Sequence, residues 1–455
     1  MATVTNAGTG RLGSLFDSLS ALQTVGPDDP SVRRSATEIV LQSSAFGPIR
    51  STFTGTGFTF DAAGRPTGGT VTDILQPQYR GNYGYGITDI QVPLTTLYAA
   101  AVRGVGAALV PGLLSGSDTF QADTFPSDPL FASEPLYGYD GDDLFAPYFG
   151  QSVDGGTGSD TVALDLLRSD TPVEIRPGSL LVTETAPGGQ ILQPATYTSV
   201  EAIRFLDGTL SFEPGTTGGQ VYVLFQVAFG RAPGTGELGY FTDAASRYGL
   251  PAVASGLLAT PEGQARLGGL DDAGFVGAVY RAALGRDADP GGLQYWQGLL
   301  GGAGRGGVLA GIAATDEAKS RVAAAIAPGI FGADPAAVAV NRVFLAATGA
   351  LPNAASLAGG LTQPRLYAAE KYLAGQSIDA GVSDADFVAS LIRNAYGADA
   401  SDPGAVAYYT QILGGADTRA AMIDARAAVI DAYASSPGIA ARVAPYVTDH
   451  GVLHA

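Results

Sequence analysis

Two periodicities divide the chain. From residue 51, β-formers alternate with polar residues in STFTGTGFTF, the text turns at DAAGRPTGG, and alternation resumes in TVTDI, which predicts an antiparallel hairpin. Before it, Leu12 to Leu22 reads as one amphipathic helix. From about 111 to 213 the text stays strand-like and rich in Gly, Asp and Thr, ending in YTSVEAIRFLDGTLSF. PGTTGG, at 214–219, has the composition of a linker. Beyond it the period changes: Phe275, Val276, Val279, Tyr280, Ala283 and Leu284 share one helical face, and Gly285 follows where a left-handed C-cap is favoured.

That helix repeats. Subtracting 55 lands on Gln220, Val221, Leu224, Phe225, Ala228, Phe229 and then Gly230, and the same offset relates GRAPGTGELGYF to GRDADPGGLQYW and ATPEGQARL to ATDEAKSRV. Weaker copies run from Ala339, Val340, Val343, Phe344 and Ala347 to Gly349, and from Phe387, Val388, Leu391, Ile392, Ala395 and Tyr396 to Gly397. SSPGIAARV echoes ATPEGQARL; Thr or Ser before Pro is a helix start, an N-cap followed by a residue of preset φ. The expected fold is multidomain α+β: a strand-rich α/β-mixed domain at 1–110, a short β-roll-like segment with strands at 111–213, the linker at 214–219, two helical modules at 220–330 and two degenerate ones at 331–455. The N-terminal half is thus β-rich and the C-terminal half an all-α repeat domain.

One stretch carries metal chemistry. In VDGGTGSDTVAL, Gly155, Gly156, Gly158, Asp160 and Val162 fill the nonapeptide G-G-x-G-x-D-x-U-x. Calcium, a hard cation, takes 6–8 oxygen ligands from carboxylates and backbone carbonyls. Glycine lets the backbone turn its carbonyls inward while the Asp of one turn faces the loop of a neighbour. A complete site needs stacked turns about 18 residues apart, two nonapeptides on. Gly138, Gly141, Asp143 and Phe145 form a degenerate copy, and Gly116, Asp118 and Phe120 a third; Asp140, Asp142 and Asp154 add carboxylates. The competing reading is a set of acidic β-turns in which Asp and Gly serve geometry alone.

Composition narrows the partners. A net charge of −18 argues against nucleic acid and anionic membranes. The absence of cysteine excludes disulfides and a thiol nucleophile. The N-terminus lacks the basic start and apolar core of a signal peptide, and LYAAAVRGVGAALVPGLL is interrupted by Arg103 and Pro111, so export would proceed without a cleaved leader and without membrane insertion. His450 and His454 are the only histidines, both at the chain end, which disfavours a Ser-His-Asp triad; H-E-x-x-H, G-x-S-x-G and the phosphate-loop pattern are absent. A paired-carboxylate glycosidase is the one enzymatic alternative.

GRDADPGGLQYW fails as an EF-hand, because the third odd position lacks Asp and the twelfth lacks Glu. It reads as a helix–turn–helix connection with Tyr295 and Trp296 packed in the core. The alternative makes Trp296, with Tyr240, Phe241 and Tyr408, part of an exposed surface for sugar stacking or a partner.

From about 51 to 330 the chain resembles alphaproteobacterial hemolysin-type (RTX) calcium-binding proteins that carry helical modules of domain-of-unknown-function family 4214. The signatures are FTGTGFTFDAAGRPTGGTV, the block LLSGSDTF…LYGYDGDDLF…VDGGTGSDTVAL, the closing VEAIRFLDGTL and the YRAALGRDADPGGLQYW module. The resemblance implies export without a leader, usually by a one-step system reading an uncleaved C-terminal signal, and implies no activity. The array departs from the family in holding about three partial repeats, and YVTDHGVLHA is not a recognisable secretion signal. The expected function is a non-enzymatic, extracellular or particle-surface attachment protein that binds calcium and grips a cell-surface polysaccharide or protein. The alternatives are a self-assembling subunit of a calcium-dependent surface layer, a capsule-binding spike of a phage-like particle, and a glycan-cleaving enzyme.

Overall fold

A computed structural model describes residues 1–5, 12, 15–43, 49–77, 84–121, 135–185, 193–361, 365–416, 418–448 and 451–452. Contacts divide the chain into two compact units, Met1–Leu164 with Thr171–Ile203, and Asp165–Asp170 with Arg204–Ala455. The first is β-rich and the second mostly helical.

In the first unit the early strands are β1 (Thr3–Thr5), β2 (Val32–Arg34), β3 (Glu38–Ser43), β4 (Ile49–Phe60), β5 (Pro66–Pro77), β6 (Gly84–Thr88) and β7 (Val92–Pro93). The expected hairpin is β4 with β5, antiparallel, with Phe53 opposite Ile74 and a register shift at Thr54/Gly55. Phe53, Val71 and Ile74 are buried, so the alternation read from sequence marks the covered face. The helix Leu94–Arg103 lies on β5; Leu94, Leu97, Ala100 and Ala101 form its buried stripe, and Gly104 at φ 65° ends it. Of the helix expected at Leu12–Leu22, Ser18–Gln23 is a 3₁₀ turn with Leu19 and Leu22 buried; 13–14 lie outside the described residues.

The sheet then changes from hairpins to parallel coiling. Strands β8 (Thr119–Gln121), β10 (Leu144–Ala146) and β12 (Thr161–Ala163) stack in parallel, Phe120 beside Phe145 beside Val162. A second parallel set joins β9 (Leu136–Tyr137), β11 (Val153–Asp154) and β15 (Ala195–Thr198), with β13 (Val173–Arg176) and β14 (Ser179–Val182) extending it antiparallel. The stacked rings of Phe120 and Phe145, with centroids 4.6 Å apart, lie in the buried interior.

In the second unit three helical copies end at left-handed glycines, the first two 55 residues apart and the third 64 further on. Thr217–Phe229, Asp272–Leu284 and Pro335–Thr348 stop at Gly230, Gly285 and Gly349, with φ of 72°, 71° and 77°. Asp384–Tyr396 departs from them: its Gly397 has φ 110° and ψ 164°. Thr260, Thr315 and Ser436 cap the helices that begin at Pro261, Asp316 and Pro437. PGTTGG is not a free linker: Thr216 Oγ1 accepts from Gly219 N at 3.0 Å, and Thr217–Gly219 are the first turn of a helix. The chain end returns to this unit, where Asp207 accepts from Arg168 N at 2.8 Å and from Val452 N at 2.9 Å. Among the described residues no helix is long and apolar enough to cross a membrane.

Candidate functional site

Parallel coiling puts the acidic loops of successive turns above one another. Asp118, Asp143 and Asp160 each precede an inward-pointing residue by two, namely Phe120, Phe145 and Val162, so the register that buries those side chains also aligns the acids. The carboxylates then form a ladder with the backbone. Asp143 Oδ1 accepts from Asp118 N at 2.7 Å, and Asp160 Oδ1 accepts from Asp143 N at 2.9 Å. Asp118 Oδ1 accepts from Ala2 N at one end. At the other end Glu201 Oε2 accepts from Asp160 N at 2.7 Å, while Glu201 N and Ala202 N donate to Asp160 O at 3.1 Å.

Glu201 was not among the expected site residues. Its signal is present all the same: Glu201 stands two before buried Ile203, as each Asp stands before its apolar partner. It lies 41 residues after Asp160, outside any nonapeptide spacing, so periodicity alone passes over it.

Glycine makes the close stacking possible. Gly156 and Gly158 have φ of 99° and 134°, and a Cβ on either would strike a carbonyl oxygen of the preceding turn, Tyr139 O or Gly141 O. Gly141 sits in the same way on Gly116 O. At Gly138, Asp143 Oδ2 and Gly155 O occupy the space a side chain would fill; at Gly155, Asp160 Oδ2 and Ser199 O do so. The outer acids serve the loops: Asp142 Oδ1 accepts from Ser159 N at 2.8 Å, and Asp140 Oδ1 from Thr157 Oγ1 at 2.7 Å.

One oxygen of each inner carboxylate is left over. Asp118 and Asp143 are 2 % exposed and Asp160 is fully buried, yet the Oδ2 of all three has no hydrogen-bond partner among the described residues. A buried, unpartnered carboxylate oxygen costs the desolvation of the group unless it carries a proton or meets a cation. Burial accordingly pushes the Asp143 carboxyl up to about 7, with the charges of Asp160, Asp118 and Asp142 adding to it. Burial also raises Asp160, to about 6, reinforced by Glu201 and Asp142, and raises Asp118. The backbone N–H bonds oppose each shift without cancelling it. No three acidic or imidazole side chains converge on one point among the described residues. A cation here would therefore take one or two carboxylates at a time and complete its shell with carbonyls such as Gly155 O and Ser199 O. These are hard oxygen donors, the class that suits calcium.

The expected aromatic residues separate into two groups. Trp296 is half-buried, packed against the helical core, and its Nε1 donates to Tyr280 Oη at 3.1 Å. Tyr295 is not in the core: it is 61 % exposed, because consecutive residues on a helix diverge by about 100° and Trp296 takes the inward direction. Tyr240 and Tyr408 occupy the same place in their own modules, 57 % and 62 % exposed. Each exposed ring stands edge-on to the next aromatic residue, at 5.1 Å for Tyr240–Phe241, 5.1 Å for Tyr295–Trp296 and 5.2 Å for Tyr408–Tyr409. Asp289 acts as an N-cap, accepting from Gly292 N at 2.9 Å, which accounts for the acid that an EF-hand reading would have claimed. His450 and His454 lie outside the described residues.

The family described as Domain of unknown function (DUF4214) matches residues 254–322. The chain carries a DUF4214 domain. The match begins inside the helix Leu250–Ala259 and ends inside Asp316–Ile326, and so includes the whole of Asp272–Leu284 and Pro290–Ala313. No curated protein and no solved structure matches the chain.

Proposed function

We propose that the chain is a calcium-braced attachment protein of hemolysin-type character, without catalytic chemistry of its own, that acts outside the cell or on a cell or particle surface. The observation that carries this reading is the line of buried carboxylates whose second oxygens have no partner among the described residues, stacked beside backbone carbonyls. When bound, calcium would supply the positive charge that the ladder lacks, and Asp118, Asp143 and Asp160, with Gly155 O and Ser199 O, are the residues that would hold it. The same hydrogen bonds argue against acid–base catalysis by these groups, since each inner carboxylate is engaged by a backbone N–H of the previous turn. The helical modules would then supply the gripping surface, for a polysaccharide or a surface protein.

Calorimetry of the whole chain in millimolar calcium and in chelator tests the brace. Calcium at about a hundred times its dissociation constant adds about 2.7 kcal/mol to the bound unit, which should raise its Tm by roughly 5–10 °C. Asp160→Asn together with Asp143→Asn should erase that response while leaving the helical unit's transition in place. Identical melting in calcium and chelator would overturn the brace. Large particles that form in calcium and dissolve in chelator would replace attachment with lattice assembly.

A further inference from the structure

The second and last helical modules are built alike but closed differently. In both, an arginine from a later helix reaches under the start of the core helix. Arg305 donates to Leu270 O at 2.6 Å and Asp272 Oδ1 at 3.1 Å and stacks 4.9 Å from Phe275. Arg426 donates to Val382 O at 2.6 Å and Asp384 Oδ1 at 2.7 Å and stacks 4.8 Å from Phe387. Counting along each helix from these matched contacts and from the caps Asp289 and Asp402, Ile392 corresponds to Tyr280, Tyr396 to Leu284, Tyr409 to Trp296 and Tyr433 to Ile312. In the second module the Trp296 indole bonds Tyr280 and lies so close to Gly311 that a Cβ there would strike the ring. In the last module Ile392 is too short to fill that place, and a groove of about 480 Å³ opens.

Its lining is unlike a core that failed to close. Tyr396, Tyr409 and Tyr433 present three rings, with Tyr409 and Tyr433 5.8 Å apart, and Ser401, Asp402 and Ser436 present polar atoms. Among the described residues none hydrogen-bonds the hydroxyls of those tyrosines. Asp402 is the only charged residue in the lining, and its Oδ1 is spent on Ala405 N at 2.9 Å. Arg393 and Asp402 both line a neighbouring cavity of about 580 Å³, and no ion pair joins them. The volume lies in the range of small-ligand sites. Ring faces suit C–H surfaces, free hydroxyls suit other hydroxyls, and an unneutralised carboxylate in the wall repels anions.

We infer that this groove binds a neutral sugar unit of a polysaccharide, with Tyr396, Tyr409 and Tyr433 as stacking and hydroxyl-bonding residues and Asp402 as acceptor. The inference rests on the attachment reading for its ligand class and adds the site, its residues and the preference for uncharged sugars.

The test uses the whole chain with dextran and galactomannan as neutral probes and alginate as the anionic one, read by affinity electrophoresis and saturation-transfer NMR. A neutral probe should bind and alginate should not. Ile392→Tyr with Tyr409→Trp rebuilds the closure of the second module and should weaken binding at least tenfold while keeping the fold. Should that pair misfold, Tyr433→Phe and Tyr409→Phe keep the rings, and each should weaken binding by up to about tenfold through one lost hydroxyl. Wild-type chain that ignores both neutral probes or prefers alginate, or variants with the groove filled and with both hydroxyls removed that bind as well as wild type, would overturn the inference. The calcium dependence of Tm, recorded on the same samples, reads the brace separately. Loss of one result with retention of the other assigns the failure to the groove or to the brace.

Discussion

The two units treat acidic side chains in opposite ways. In the helical unit carboxylates sit near the surface and meet arginines of the same chain. Arg231 is shared by Glu237 and Glu262, at 2.8 and 3.0 Å, while Arg286 meets Glu317 at 2.7 Å and Arg419 meets Asp379 at 2.7 Å. In the roll the ladder acids Asp118, Asp143 and Asp160 are buried and bonded to backbone N–H groups, and among the described residues no arginine enters the ladder. Ion pairs thus neutralise many surface carboxylates of the helical unit, whereas the ladder acids of the roll have no ion-pair partner among the described residues. A net charge of −18 looks uniform in composition and is two different electrostatic designs in space.

The sharpest break of that comparison is a place where the helical unit also buries charge: besides Asp207 and Glu370, it buries the guanidinium of Arg426. The Arg426 side chain is 4 % exposed and holds Asp384 Oδ1 at 2.7 Å, Val382 O at 2.6 Å and Ser377 Oγ at 2.8 Å. Arg426→Ala strands Asp384 and a carbonyl and removes the stack on Phe387, and should cost about 3–5 kcal/mol. Urea unfolding followed by far-ultraviolet circular dichroism would report it as an earlier helical transition. A loss below about 1 kcal/mol would mean that water replaces the guanidinium at no cost.

Proton dependence comes next and separates the ladder acids from the surface ion pairs by sign; Glu370, raised to about 7 by burial in the helical unit, sides with the ladder. Asp143, near 7, and Asp160, near 6, bind protons more tightly folded than unfolded, where such a carboxyl has its ordinary value of 3.8. Without metal the roll is therefore favoured by acid: its stability falls as pH rises from about 4 to about 7 and is flat above. The size is on the order of a few kcal/mol. Scans in chelator at pH 5 and pH 8 should show the roll melting later at pH 5, and millimolar calcium at pH 8 should recover the difference. The helical unit runs the other way at its surface, since its Arg-paired Glu237 and Glu317 lie below the usual carboxylate range and lose their contribution only in stronger acid. A roll transition indifferent to pH between 5 and 8 would remove the charge imbalance from the comparison.

Glycine at the stacked turns should give a smaller, purely geometric loss. Gly158→Ala asks an L-residue to hold φ 134° against Gly141 O, which costs about 1–3 kcal/mol in strain with the clash added. Gly178, at φ 73° with open space around it, is the control, and its alanine variant should cost about 1 kcal/mol. Equal losses would show that the roll tolerates looser stacking than its register implies.

Sequence periodicity reached these features unevenly. The left-handed glycines at 230, 285 and 349 follow from apolar spacing alone, because helix geometry and C-cap chemistry are local. The acids at 118, 143 and 160 follow from the acid–x–apolar pattern, although the loops between them vary in length. Glu201 escapes because its turn arrives after two antiparallel strands that no repeat length counts. The paired clamps of Arg305 and Arg426 escape for the same reason: the core helices lie 112 residues apart and the arginines 121, so one offset cannot align both. Tyr295 reads as a core residue beside Trp296, but a helix turns adjacent side chains about 100° apart and leaves it exposed.

The smallest expected effect is at Arg231, and it states the comparison in its limiting form. Its guanidinium makes four bonds to Glu237 and Glu262 and lies 5.4 Å from the rings of Phe225 and Phe229. The side chain is 41 % exposed, so water screens the pair in both the folded and unfolded chain. Arg231→Met keeps an extended apolar stem over the two rings and deletes the charge, and should cost less than about 1 kcal/mol. The loss should shrink further in 1 M salt, where the screening length is about 3 Å. Removing one carboxylate charge from the roll by Asp143→Asn has the opposite expected sign in chelator at pH 8, a gain in stability, since the amide oxygen still accepts from Asp118 N and no counter-charge is stranded. If both variants lose stability by similar amounts, the ladder is neutralised within the chain and needs no cation; opposite signs leave solution cations as the remaining source of its charge balance.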